Sequence, residues 1–450
     1  MAVDLRKFFQ ATDPGKTLFV EDPEDKKLYI DFSSVRGGKI IEELKDNITF
    51  FAPDDPTCVL FTGHIGCGKS TELLRLKLEL EQEGFHVVYF ESSEDLEMAD
   101  VDIGDVLLAI ARRVSQSLDK LLLGEPSRLK ELLQGAAKVL NSDVTGMKFK
   151  LPGVGDVGVT SEKEKFSLAF GIGEITTKAK SDATLREKLN QYLGPQKTQL
   201  LEAINQELLE PAIAKLKQLG KNGLVVIVDN LDRIDNRQKA WGRPQQEYLF
   251  VDQGEYLTKL RCHLVYTMPL ALKFSNDYGN LTQRFSEEPK VLPMVPVQIQ
   301  DGSDCEAGIA LLRQMVLARA FPDLDEEQRL DKITEIFDSA ETLDRLCSVS
   351  GGHVRDLLRL LNSWIKKDRK LPLSGGTLEE VIRSRRNEMT MPISDNEWEL
   401  LRQVRQRKKV SGDQGYQTLI RSRLVFEYRD GGESWFDINP ILAEAKELQP

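Results

Sequence analysis

The order of apolar and polar positions along the 450-residue chain gives the first picture. Cys58-Val59-Leu60-Phe61 is an unbroken apolar run, and Thr71-Glu72-Leu73-Leu74-Arg75-Leu76 after it switches to helical spacing. The first reads as a short buried strand and the second as the opening of an amphipathic helix. His86-Val87-Val88-Tyr89-Phe90 predicts a second strand, and apolar residues at helical spacing run from Ile103 to Leu123. Gly223-Leu224-Val225-Val226-Ile227-Val228 is apolar throughout and ends on Asp229, as a central parallel strand buried on both faces does. Cys262 to Met268 and Lys290 to Pro296 complete the strands. Strand and helix in alternation predict an α/β fold, a parallel sheet with helices on both faces.

Three stretches depart from this alternation. Near the N-terminus, Asp22-Pro23-Glu24-Asp25 reads as a turn, Leu28-Tyr29-Ile30 as a short strand, and Ile40-Ile41-Glu42-Glu43-Leu44 as a helix. Between Thr145 and Lys180, apolar residues alternate with glycine or polar ones (Met147, Phe149, Leu151, Val157, Val159, Phe166, Leu168, Phe170, Ile172), which predicts one or two Gly-rich hairpins. Such a segment is either a surface insertion or an edge ribbon able to add to another chain's sheet. A long amphipathic helix from Leu185 to Leu219, stopped at Gly220, comes next.

At the C-terminus, helices over Glu397–Gln406 and Tyr416–Arg423 precede two strands, Leu424–Tyr428 and Trp435–Ile438, joined at Asp430-Gly431-Gly432. Helix, helix, hairpin is the order of a winged helix. Residues 383–409 hold eight basic side chains against four acidic ones, and Arg421 and Arg423 lie on the candidate recognition helix. That makes DNA a candidate partner, against a net charge of −11 that disfavours whole-molecule affinity for nucleic acid.

Composition adds exclusions. With 40% hydrophobic and 30% charged residues the chain reads as an ordinary soluble protein of several domains. No apolar run reaches the roughly 18 residues of a membrane span, and the first residues lack a signal-peptide core, so a cytoplasmic location without membrane contact is expected. The five cysteines include no C-x-x-C pair, which argues against disulfide frameworks and zinc.

The chemistry concentrates where the first strand meets the first helix. Gly63-His64-Ile65-Gly66-Cys67-Gly68-Lys69-Ser70 has the spacing G-x-x-x-x-G-K-[ST], with Thr71 continuing into the helix. Glycines let successive N–H groups turn inward around a phosphate, and the helix directs its positive end at the same anion. Lys69 is expected to reach the β- and γ-phosphates and Ser70 to hold Mg²⁺, so ATP with Mg²⁺ is the expected ligand. Asp229, at the end of its strand, is the expected second Mg²⁺ contact.

Asp229-Asn230-Leu231-Asp232-Arg233 resembles the Walker B motif of STAND and KAP-type P-loop ATPases. Many AAA+ ATPases carry a glutamate after the metal-binding Asp to position the attacking water, and Asn230 stands there in this chain. The departure leaves Asp232 as a candidate water-orienting acid, with slow hydrolysis or a pseudo-ATPase scaffold as the other outcomes. Thr267 before Pro269 is similar to a sensor-1 position, and Gly352-His353-Val354-Arg355 resembles the sensor-2 Gly-x-x-Arg of initiator-like (Orc/Cdc6-like) AAA+ proteins, with Arg355 reaching the γ-phosphate. Read alone, Thr267 is an ordinary structural threonine and Arg355 a surface arginine. Arg284, ahead of the last strand, is where an arginine finger toward a neighbouring subunit is expected.

The resemblance implies an N-terminal segment (1–45), a P-loop NTPase core (46–300) with an insertion at about 124–200, a helical lid (301–388) and a C-terminal winged helix (389–450). It also implies an ATP-binding, slowly hydrolysing switch of bacterial signalling or anti-phage defence. ATP or ADP would control self-assembly or contact with an effector or sensor protein, with the winged helix packed on the nucleotide site. The alternative is a DNA-binding loader or regulator.

Overall fold

The computed structural model describes residues 3–119, 126–141, 168–430 and 432–449. Five parallel strands form the central sheet: β1 (Cys58–Gly63), β2 (His86–Glu91), β3 (Leu224–Asp229), β4 (His263–Met268) and β5 (Lys290–Leu292). Their order is β2-β3-β4-β1-β5, so the strand carrying the glycine loop sits between β4 and the short edge strand β5. The register pairs Glu91 with Asp229 and Phe61 with Thr267, which brings the C-terminal ends of β1 to β4 to one edge. This is the α/β fold, a parallel sheet with helices on both faces, that the alternation predicts.

Strand periodicity of two divides the core. Val59, Phe61, Val225, Ile227 and Val265 face Leu73, Leu76 and Leu80 of helix α1 (Lys69–Gln82). Their neighbours Leu60, Val226, Val228, Leu264 and Tyr266 face the other way, against the helix Ile103–Ser117 and the helices after it. A separate apolar cluster forms around α2 (Val354–Asp368), whose Leu357, Leu361 and Trp364 are fully buried. Two further helices, α3 (Asp395–Arg407) and α4 (Gln414–Arg421), lead into an antiparallel hairpin, β6 (Val425–Asp430) and β7 (Glu433–Ile438). Phe426, Tyr428 and Trp435 of that hairpin enter the same core cluster as α1 and β1. The C-terminal region is therefore built onto the sheet face that carries the glycine loop.

Several expectations need correction. Asp22-Pro23-Glu24-Asp25 does not form a turn, and Leu28-Tyr29-Ile30 does not form a strand. Asp22 caps a helix over Pro23–Leu28 by accepting from the Glu24 and Asp25 N–H groups, with proline at its first position where no N–H is required. Residues 168–180 are not hairpin: Leu168–Ser181 is a helix. Leu168, Ile172, Ile175 and Ala179 recur at helical spacing and are buried, a period hidden in the sequence by the alternation around it. Met147, Phe149, Leu151, Val157, Val159 and Phe166 lie outside the described residues.

The helix from Leu185 to Leu219 is not continuous. It breaks at Gly194-Pro195 and carries a π-turn over Asn205–Leu209, just before Pro211, which has no N–H to continue the ladder. Lys290–Pro296 contributes only three strand residues, since Pro293 and Pro296 cannot donate to a ladder. Among the described residues no helix is long and apolar enough to cross a membrane.

Candidate phosphate-binding site

The turn between β1 and α1 closes on itself through a Cys67 N–H bond to the His64 carbonyl. Gly66 and Gly68 adopt φ of 96° and 108°, a region costly for any other L-residue. Beneath the turn, Arg36 is buried and donates from Nη2 to the Cys67 carbonyl at 2.8 Å, while its guanidinium lies over the Phe32 ring. Arg36 is a support that the motif does not reveal, because it lies 31 positions upstream.

Lys69 is held by three oxygens: the Gly63 and His64 carbonyls at 2.8 and 3.0 Å, and the Asp232 carboxylate at 2.9 Å. Burial works against its charge, but Asp232 outweighs it and the ammonium stays above its usual range. Asp229 accepts from the Asn230 N–H at 2.6 Å, from the Tyr89 hydroxyl at 2.8 Å and from Ser70. Burial, followed by the neighbouring charge of Asp232, raises the Asp229 pKa above the ordinary carboxylate value. A cation between Ser70 and Asp229 relieves both effects.

These donors fit Mg²⁺, which prefers hard oxygens and is held by one or two carboxylates together with nucleotide phosphates. Among the described residues no group of three or more His, Cys, Asp or Glu side chains could hold a metal unaided. A phosphate-borne Mg²⁺ does not require one.

A cleft opens above these groups. Its wall combines Ile65, Gly66, Gly68, Lys69, Ser70 and Thr71 with Asp229, Asn230 and Asp232. Pro14, Lys16 and Thr17 of the N-terminal segment close one side, and Val354, Arg355 and Leu358 of α2 another. Arg355 reaches this wall, anchored by its own N–H to the Gly66 carbonyl at 3.2 Å and by Nε to the Pro14 carbonyl at 3.2 Å. Burial, then the like charge of Arg233, lowers the Arg355 pKa. Arg233 also lines the cleft, so two guanidinium groups face the same space.

Thr267 and Arg284 lie elsewhere. The Thr267 hydroxyl is fully buried, accepts from the Leu231 and Asp232 N–H groups at 2.9 and 3.4 Å, and does not line the cleft. It pins the turn that carries Asp232. Arg284 sits on the helix Tyr278–Phe285 outside the cleft wall, its guanidinium half-exposed and 3.9 Å from Glu255.

The glycine loop is also bonded from behind. The Glu427 N–H of β6 donates to His64 Nε2 at 2.9 Å. His353 caps α2 by accepting from the Asp356 N–H at Nδ1, which leaves Nε2 to donate to the Ile65 carbonyl at 2.8 Å. Between the two imidazoles lies Phe426, stacked on His353 and edge-on to His64. Burial depresses both histidines, His353 to about 4 and His64 well below its usual 6.5, so both are neutral at pH 7. Arg421 and Arg423, the arginines of the candidate recognition helix, line a second cavity together with Gly63, His64 and Ile65.

Residues 38–239 match the family model for the KAP family P-loop domain, so this part of the chain is similar to P-loop domains of that type. No curated protein matches the chain by sequence. Among solved structures it is similar to the Walker-type ATPase PABY2304 of Pyrococcus abyssi, at 11% identity over 96% of this chain and 98% of that one, TM-score 0.41. It is also similar to the Aeropyrum pernix ORC1 protein, solved in complex with DNA, at 11% identity over 90% and 91% of the two chains, TM-score 0.34.

Proposed function

We propose that this chain is an ATP-binding and ATP-hydrolysing switch in which the state of the nucleotide controls assembly or partner binding. ATP occupies the cleft with its phosphates on the turn 63–70, and Mg²⁺ is held by Ser70 and Asp229. Bound Mg²⁺ supplies charge neutralisation to the phosphates. Lys69 neutralises the terminal phosphates, Arg355 and Arg233 approach the γ-phosphate from the cleft rim, and the N-terminal segment excludes water from one side. Arg284 belongs to a contact with a second copy.

The observation that carries this reading is the joint between the glycine loop and the C-terminal hairpin. His64, Ile65 and Gly66 are bonded to Glu427, His353 and Arg355 respectively. A γ-phosphate that draws Lys69 and Arg355 together acts on residues already tied to α2 and β6, so ATP and ADP make different contacts with two arrangements of one element. We assign residues 389–450 as a winged helix serving this regulatory packing, with 301–388 as the lid. Signalling or anti-phage defence is the setting that this class of switch implies.

The test is the light-scattering mass of the purified protein with ADP, with ATP and with a non-hydrolysable analogue, run beside phosphate release. Assembly with the ATP forms, lost in Lys69→Ala, supports the switch. Unchanged mass and unchanged nucleotide affinity in Lys69→Ala overturn it. A DNA-binding role is the weaker reading, because Arg421 and Arg423 line an inner cavity and burial lowers the pKa of both.

A further inference from the structure

Asn230 follows the metal-binding aspartate where a carboxylate was the expected water-orienting group, and its surroundings are specific. It is 2% exposed, has a left-handed backbone (φ 61°) and lines the phosphate cleft. Strain of this kind in a non-glycine residue collects at functional sites. Its amide nitrogen donates to Glu91 Oε2 at 2.6 Å. Glu91 ends β2 and is paired in register with Asp229, so the sheet itself delivers the carboxylate beside Asn230. With one amide N–H given to that carboxylate the side chain is fixed in orientation, and no donor to its carbonyl Oδ1 occurs among the described residues. The other candidate acid, Asp232, is paired with Lys69 at 2.9 Å.

We propose that Asn230 is the residue that orients the attacking water and that Glu91 is its positioning residue, holding the amide so that Oδ1 faces the cleft. An amide does this work in other phosphoryl-transfer enzymes, where a glutamine orients the water. Asn230 accepts a hydrogen bond from the water and takes no proton. The water oxygen bonds to the γ-phosphorus, and the bond to the β–γ bridging oxygen breaks, its electron pair leaving on ADP. The water's protons pass to the released phosphate and from there to solvent. The inference rests on the ATPase reading above, and turns the missing glutamate from a sign of a dead site into a different way of placing the nucleophile.

The experiment measures phosphate release and the affinity for a fluorescent ATP analogue with Mg²⁺ in the wild type and in Asn230→Ala, Glu91→Leu, Glu91→Gln and the double variant Glu91→Leu/Asn230→Ala. Loss of orientation is expected to cut phosphate release about 100-fold in Asn230→Ala and in Glu91→Leu, with affinity within about threefold of wild type. Glu91→Gln, whose own carbonyl can still accept from the amide, is expected to keep part of the rate. The double variant is expected to be no slower than either single one, since the two residues act as a unit. A merely structural Glu91 would lower affinity and melting temperature along with the rate and show no rescue by Gln, which overturns the proposal. Wild-type hydrolysis retained in Asn230→Ala overturns it while leaving the ATPase reading intact. A wild-type chain that binds ATP and releases no phosphate overturns both.

Discussion

The Lys69 ammonium lies 2.9 Å from the Asp232 carboxylate, with only 5% and 4% of the two side chains exposed. The lysine that the motif assigns to phosphate thus has an anionic partner within its own chain, and ATP competes with Asp232 for the same charge. Removing a buried partner leaves an uncompensated ion, at a cost of about 3–5 kcal/mol. Asp232→Asn is therefore expected to lower the urea midpoint strongly without nucleotide, and much less with saturating ATP and Mg²⁺, where the γ-phosphate replaces the lost charge. Equal losses in both conditions would show that the nucleotide does not meet Lys69.

The two buried imidazoles give the stability a direction with pH. His353 is depressed from 6.5 to about 4 and His64 is lowered well below 6.5 as well, so between pH 6.5 and 4 the unfolded chain binds protons that the folded one does not. Stability is then full above pH 6.5 and falls as the pH drops toward 4, by about 3 kcal/mol for His353 alone. Thermal melts across this range check it. His64→Gln, which keeps an acceptor for the Glu427 N–H, should melt with a shallower pH slope.

Phe426 joins the C-terminal hairpin to both histidines and to the core around α1. Phe426→Ala removes a fully buried ring and is expected to cost about 3–5 kcal/mol. It should also speed release of a fluorescent ADP analogue in stopped flow, because the glycine loop loses its backing. Slower unfolding, or an unchanged release rate, would count against the coupling.

Gly352, one residue before the His353 cap, has φ of 71°, and a Cβ there would stand 1.7 Å from the Val295 carbonyl oxygen. Gly352→Ala must move backbone and is expected to destabilise by at least about 2 kcal/mol. Chemical denaturation checks the size. Nucleotide titration should show weaker binding as well, since α2 carries Arg355 to the cleft.

How far the sequence reaches depends on whether the physics is local. The glycine loop, β1 to β4 and the aspartate that ends β3 are legible because a run of apolar residues, a turn that tolerates only glycine and a helix start are all set by near neighbours. The helix Leu168–Ser181 is not, since its buried face is decided by packing against the helix Ile103–Ser117. The same holds for Arg36 under the loop, for Tyr89 on Asp229 and for Glu91 on Asn230, where β2 and β3 lie some 140 positions apart and meet only in the sheet.

The chain's sequence by itself determined a phosphate-binding turn, a parallel sheet to hold it and a helix–helix–hairpin end, because backbone freedom and hydrophobic period suffice for each. Only the tertiary structure decided that Lys69 is paired with Asp232, that Thr267 serves the turn after β3, and that the far end of the chain grips the glycine loop through Phe426 and Glu427. Those relationships join residues up to 363 positions apart, and no local preference encodes a contact that exists only once the sheet has closed.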